Sequence, residues 1–333
     1  MVDYLAQLRG DPLPWLLEED EREPAVRYFA LRWLRRRKES HPEVIAARAA
    51  TMRSGPVMRI LEQQSSDGHW GSSDSLYHPG WAGTAAQLGI LADVGADGSD
   101  PRIEVAIDWA LQHGQTTSGG IAYDGRQSGI IHCMNGDALR ALITLGHLDD
   151  AAVRHALTWT CDAILGTGDP QYRASGTSGP GFACAHNGKL PCAWGAVKAL
   201  RALAAVPPRR RTRPIRDAIE VGVEFLLAHD LITADFPANE KPATRWFRFG
   251  FPSNYQADLL ELLFALVELR RLPDPRTAGA IELVLEHQDE DGRWPMESSL
   301  NGRMVTRIES QKQPSKWVTL RAMRVLRAAS GHR

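Results

Sequence analysis

Apolar residues recur every three to four positions along most of this chain, and two-residue alternation is scarce. That period predicts amphipathic helices over 25–37 (AVRYFALRWLRRR), 84–94, 137–145, 195–205, 258–270 and 317–328. Ala, Leu and Arg dominate them, and all three favour helix. A second, more polar set is predicted between them, over 102–113, 151–165, 214–227 and 276–288. The pattern reads as an all-α protein.

The helices also repeat. The most apolar ones begin WAGTAAQLGIL at Trp81, CMNGDALRAL at Cys133, CAWGAVKALRAL at Cys192, YQADLLELLFAL at Tyr255 and WVTLRAMRVL at Trp317, at intervals of 52, 59, 63 and 62 residues. Each unit pairs an apolar helix with an amphipathic one, and stacked pairs of this kind bury one continuous core. The helix richest in apolar and small residues belongs inside, with its partner outside. The pattern alone leaves an open solenoid and a closed ring as alternatives. Residues 1–54 read as a helical cap and 55–333 as the repeat array, one domain.

Two segments match closely: Gln64-Ser-Ser-Asp-Gly68-His-Trp70 and Gln288-Asp-Glu-Asp-Gly292-Arg-Trp294, with a weaker copy in GQTTSGGIAYDG after the helix at 102–113. The Gln can bond backbone at a helix end, the Gly permits the turn out of it, and the Trp covers the next pair. This Q-x3-G-x-W pattern resembles the QW repeat of the squalene–hopene and oxidosqualene cyclases. More broadly it resembles the prenyltransferase/squalene-oxidase repeat superfamily, over about residues 55–330. The resemblance implies an α/α toroid, a closed double ring of inner and outer helices, in which these segments tie helices together and carry no chemistry. The triterpene cyclases have two such domains and this chain has room for one, so it looks more like the protein prenyltransferase β-subunit. CMNGDALRALITLGHLDD, CAWGAVKALRAL, RWFRFGFPSNYQADLLELL, HQDEDGRWPMES and PSKWVTLRAMRVL also resemble a bacterial group of uncharacterised repeat proteins, which supplies no settled reaction.

The acids of terpene chemistry are absent. There is no D-x-D-D to protonate an alkene and no D-D-x-x-D to hold magnesium on a diphosphate; Asp149 and Asp150 read as helix caps. There is no P-loop and no G-x-G-x-x-G, and G-T-G-D-P at 166–170 is a turn. With 39 Lys and Arg against 40 Asp and Glu, the net charge of −1 lacks the basic excess of a dedicated nucleic-acid binder. No apolar run approaches the roughly 20 residues that span a bilayer. The N-terminal sequence shows no secretory signal, so a cytoplasmic location is expected, and four cysteines make no disulfide framework.

The cysteines are better explained by position. Cys133 and Cys192 start successive inner helices, and Cys184 lies on the Gly-rich loop just before Cys192. Stacked repeats bring these three thiols to one rim. Zinc favours thiolate and imidazole ligands, and His132 and His186 flank the set; the fourth ligand is then one of these, with His186 the first candidate, or a water or substrate. Protein prenyltransferases carry a catalytic zinc, but their D-x-C pair has no counterpart in this chain. Packing of the thiols as small buried hydrophobes is the alternative, and it is the reading given to Cys161.

On the same rim, Tyr77, His78 and Trp81 are candidate cavity-lining residues, and Tyr255 and Asp258 are candidate catalytic residues. The segments Lys241–Pro252 and Lys312–Trp317 are basic and aromatic. Arg248, Lys316 and Trp317 are therefore candidates for holding a substrate with an anionic head. The run PPRRRTR at 207–213 reads as a solvated loop on the opposite rim, and LRWLRRRK as part of the cap, with a membrane-surface role as the weaker alternative. The expected function is that of a terpene cyclase- or prenyltransferase-like enzyme, zinc-assisted, with a small lipophilic, isoprenoid-like substrate in a central apolar cavity. The alternatives are a non-catalytic peptide- or lipid-binding toroid with structural zinc, and a degenerate cyclase-like protein whose cysteines only pack.

Overall fold

The computed structural model describes residues 2–168, 178–233 and 244–332. Among them the secondary structure is helical, with isolated β-bridges and no longer strand. The helices are α1 (Leu13–Leu17), α2 (Pro24–Phe29, extended by a π-helical turn over Ala30–Leu34), α3 (Pro42–Thr51), α4 (Gly55–Glu62), α5 (Thr84–Asp93), α6 (Pro101–Gly114), α7 (His132–Thr144), α8 (Ala151–Leu165), α9 (Ala193–Ala205), α10 (Arg213–Leu227), α11 (Leu259–Glu268), α12 (Ala278–Glu286) and α13 (Lys316–Ala329). Proline opens α3, α6 and α10 within the first two positions, where its missing N–H costs nothing. Asp100 and Ser315 cap α6 and α13 through their side chains.

The inner helices α2, α5, α7, α9, α11 and α13 form a closed ring. Consecutive members α5 to α13 pack side by side, and α13 packs on α2. The last gap closes where Gly95, just past α5, meets the Phe29 ring; a Cβ there would stand 3.1 Å from Phe29 Cζ. The N-terminal segment read as a cap thus contributes an inner helix to the ring. The inner helices run parallel. Trp317 at the start of α13 donates to Glu23 at the start of α2, and Arg327 at its end donates to the Leu34 carbonyl. The α7–α9 contact is close because Gly136 has no side chain: a Cβ would lie 2.6 Å from the Ala199 nitrogen. The protein is an α/α toroid in a single domain.

The Q-x3-G-x-W segments bind the outer layer. Trp70 and Trp294, both buried, donate Nε1–H to Ile60 and Val284 carbonyls at 2.7 and 2.6 Å. Their backbone N–H groups donate to Thr84 and Thr319 on the next inner helices. Gln64 donates to Arg102 O at the start of α6, and Gln115, in the weaker copy, to Ala152 O at the start of α8. Gln288 instead accepts from the Arg9 N–H at 2.8 Å, so the chain's first segment completes the circle. Gly68 and Gly119 take φ near +100°, a conformation that favours glycine.

Candidate functional site

The loops entering the inner helices share one rim, and most of the expected residues meet there. Cys133 is the second residue of α7, Cys192 precedes α9, and Cys184 lies on the loop pinned by the Ala183–Pro191 bridge. Each thiol is close enough to the others for their charges to interact. Burial pushes the Cys133 thiol well above its ordinary range, and the neighbouring Cys192 and Cys184 add to the shift. Burial raises Cys192 as well. Cys161 is buried in the outer helix α8 within the main apolar core, as expected of a packing residue.

Three aromatic rings meet on the same rim. Tyr255 stacks on Trp81 at 6.0 Å with 10° between planes and meets Tyr77 edge-on at 5.9 Å; the two phenol oxygens are 3.3 Å apart. Burial, then Tyr77, then Cys133 raise the Tyr255 hydroxyl above its usual range, so Tyr255 lies within charge range of Cys133. Trp81 Nε1 is buried without a hydrogen-bond partner. Tyr77, Gly80, Ala85, Ala86, Met134, Asp137, Ala138, Asn254 and Tyr255 enclose a cavity of about 10 Å³. That is room for one water; ligand pockets are typically several hundred Å³.

Two cations complete the rim. The Arg303 guanidinium lies 5.0 Å from the Trp81 ring centre. Arg245 donates to Ser298 Oγ at 2.6 Å, while its Nε is buried without a partner. Arg245 is also close enough to Tyr255 and Asp258 to feel their charge. These two residues stand where Arg248 and Lys316 were expected. Arg248 is exposed. Lys316 pairs with Asp20 at 2.9 Å and Glu18 at 3.5 Å. Trp317 is buried, stacked on Phe251 and hydrogen-bonded to Glu23, so it joins the packing. Lys241 lies outside the described residues.

Asp258 is the N-cap of α11. One carboxylate oxygen accepts from Glu261 N at 2.8 Å and the other from Gly250 N at 3.1 Å, which makes the side chain the cap of α11. Burial, and then Glu261, raise its pKa to about 6. His78 is exposed, edge-on to Tyr77 at 5.5 Å. His186 is also exposed, on a 3-10 turn. His132 is the buried imidazole near the thiols. Its Nε2 lies 2.8 Å from Gly179 O, its Nδ1 has no partner, and burial lowers its pKa to about 4. Three thiols suit zinc chemically. Among the described residues, however, no three His, Cys, Asp or Glu side chains form a metal-holding group, so the set as it stands does not fit the ion.

Below the cavity the ring interior is filled with charge, not apolar. Asp137, on the cavity wall, lies 3.5 Å from Arg140 and 3.7 Å from Lys198. Lys198 and Arg201 pair with Glu261 at 2.7 and 2.8 Å. Asp93 takes Arg140 and Arg321 at 3.3 Å each and Arg201 at 3.8 Å. These side chains are at most 7 % exposed and come from five inner helices, so they meet inside the ring. Burial would raise the Glu261 carboxyl, but Lys198, Arg201 and Arg321 outweigh it and hold it at about 2.

The fold and rim define an α/α toroid with an aromatic, cationic and thiol-bearing mouth. No protein-family model and no curated protein sequence matches the chain. Among solved structures it is similar to an unsaturated glucuronyl hydrolase specific for heparin, at 11 % identity over 94 % of this chain and 86 % of that one, with a TM-score of 0.49. It is also similar to a protein from Actinoplanes, at 16 % identity over 85 % and 99 %, TM-score 0.35. A type II terpene cyclase from Scytonema matches at 14 % identity over 86 % and 98 %, TM-score 0.33.

Proposed function

We propose that this toroid is an enzyme of terpene cyclase or prenyltransferase type, acting at the inner-helix N-terminal rim on an isoprenoid-like substrate with an anionic head. One observation carries the reading: Tyr77, Trp81 and Tyr255 form an aromatic wall with Arg245 and Arg303 at its edge and Cys133 within charge range of Tyr255. Aromatic faces stabilise positive charge developing on an allylic carbon. Arg245, with its unpartnered Nε, and Arg303 suit a diphosphate head. The N-termini of the parallel inner helices add positive potential on the same side. A lipophilic tail displaces the Tyr77–Tyr255 contact to enter, because the enclosed space holds only about one water. The D-x-D-D protonation route has no acid in this chain.

The filled interior favours a second reading, a non-catalytic binding toroid. The deciding experiment incubates the protein with farnesyl or geranylgeranyl diphosphate, with and without added zinc and magnesium, and measures diphosphate release and hydrocarbon products. Turnover lost in Tyr255→Ala and Arg245→Gln supports the enzyme. Saturable binding without turnover supports the binding toroid, and neither binding nor turnover overturns both.

A further inference from the structure

The two basic runs of the sequence, Arg35-Arg36-Arg37-Lys38 and Arg209-Arg210-Arg211, lie some 170 residues apart and both leave the C-terminal ends of inner helices. The fold joins them, because α9, α11, α13 and α2 are consecutive neighbours in the ring and run parallel, so their C-terminal ends share one rim. Arg211 is close enough to Arg270 and Arg271, past the end of α11, for their charges to oppose its own. Arg324 of α13 is in range of Glu268 at the end of α11. Arg327, one turn further along α13, feels Arg35 and Arg36. One arc of cations thus runs over the ends of α9, α11, α13 and α2.

Part of this charge is local. Arg211 donates to the Ala204 and Val206 carbonyls and Arg327 to the Leu34 carbonyl, capping helix ends whose dipoles are negative. Arg210 pairs with Asp149, Arg271 with Glu220, and Arg32 with Glu39. Arg35, Arg36, Arg37, Lys38, Arg209 and Arg270 remain: all are exposed, and none has an acidic partner among the described residues. On a chain with net charge −1, these six cations form a local excess over the ends of α9, α11 and α2.

We infer that this rim docks on an anionic phospholipid surface. Its cations sit on several loops at the ends of parallel helices, which makes a broad face and not a groove. The exposed runs RRRK and PRRR and the Arg270–Arg271 pair contain no aromatic residue on which a nucleobase would stack. Clusters of four to eight Lys and Arg bind anionic leaflets, and guanidinium groups pair with phosphate. Docking here leaves the aromatic mouth on the far rim, roughly 20 Å away along inner helices of 13–14 residues, open to water. The inference is independent of the reaction assigned to that mouth.

The test is co-sedimentation of the full chain with vesicles of phosphatidylcholine alone and of phosphatidylcholine with phosphatidylserine at about 7:3. Binding is expected only with phosphatidylserine, with release on raising salt toward 0.5 M. The variant with Arg35, Arg36, Arg37 and Lys38 all changed to Gln should bind at least about a hundredfold more weakly, and Arg209→Gln/Arg270→Gln about 25-fold more weakly, since each cation is worth about fivefold in partition. Circular dichroism confirms that both variants are folded. Equal binding to neutral vesicles, binding unchanged in both variants, or retardation of nucleic acid without vesicle binding would overturn the inference.

Discussion

Asp258 shows how one residue changes meaning with a helix boundary. Read as a carboxylate on an apolar inner helix, it invites a catalytic role; α11 in fact begins at Leu259, and Asp258 caps it. Asp258→Ala should cost about 1–2 kcal/mol in urea unfolding, and Asp258→Asn part of that, because the amide oxygen keeps the Glu261 N–H bond while the amide NH2 cannot accept from Gly250 N. A proton-transfer role would instead abolish activity in the Asn variant well beyond its loss of stability. The thiols and aromatic residues of the rim were legible because repeat register fixes which residues enter each inner helix. Arg245 was not separable from Arg248, because only the 3-10 turn at Thr244–Phe247 decides which of them turns inward.

At the scale of elements, α7, α9 and α13 carry charges at their sixth and ninth residues: Asp137 and Arg140, Lys198 and Arg201, Arg321 and Arg324. This i, i+3 repetition is visible in the sequence. Yet a charged stripe on a helix ordinarily faces solvent, and only ring closure turns this one inward. The start of α13 holds a second acid cluster, with Glu23 buried and Glu309 half-buried. Glu23 accepts from Trp317 Nε1 and Glu309 accepts from Ser315 and the Lys316 N–H. Burial raises Glu23 to about 8 and Glu309 to about 7. A carboxyl whose folded pKa is raised binds its proton more tightly when folded. Its contribution is therefore full below about 4.5 and is lost as pH rises toward 8. The urea midpoint should fall between pH 5 and 8, and less so in Glu23→Gln.

For the whole molecule, closure of the ring is the decisive fact. The sequence pattern left an open solenoid as an alternative, and the contacts that exclude it, Gln288 with Arg9 and Gly95 with Phe29, join segments with no mutual signature in the chain. Closure also places the ion network where a hollow apolar cavity was expected. Its members depend on one another. Glu261→Ala leaves Lys198 and Arg201 buried with less compensation and should cost about 3–5 kcal/mol by urea denaturation.

The functional account rests on the rim recognising an isoprenoid with an anionic head, and calorimetric titration with farnesyl diphosphate tests that directly. Saturable binding with a negative heat-capacity change is predicted, weakened at least tenfold in both Arg245→Gln and Tyr255→Ala and unchanged in Arg248→Gln. Absence of saturable binding, or equal affinity in all four proteins, would contradict the account.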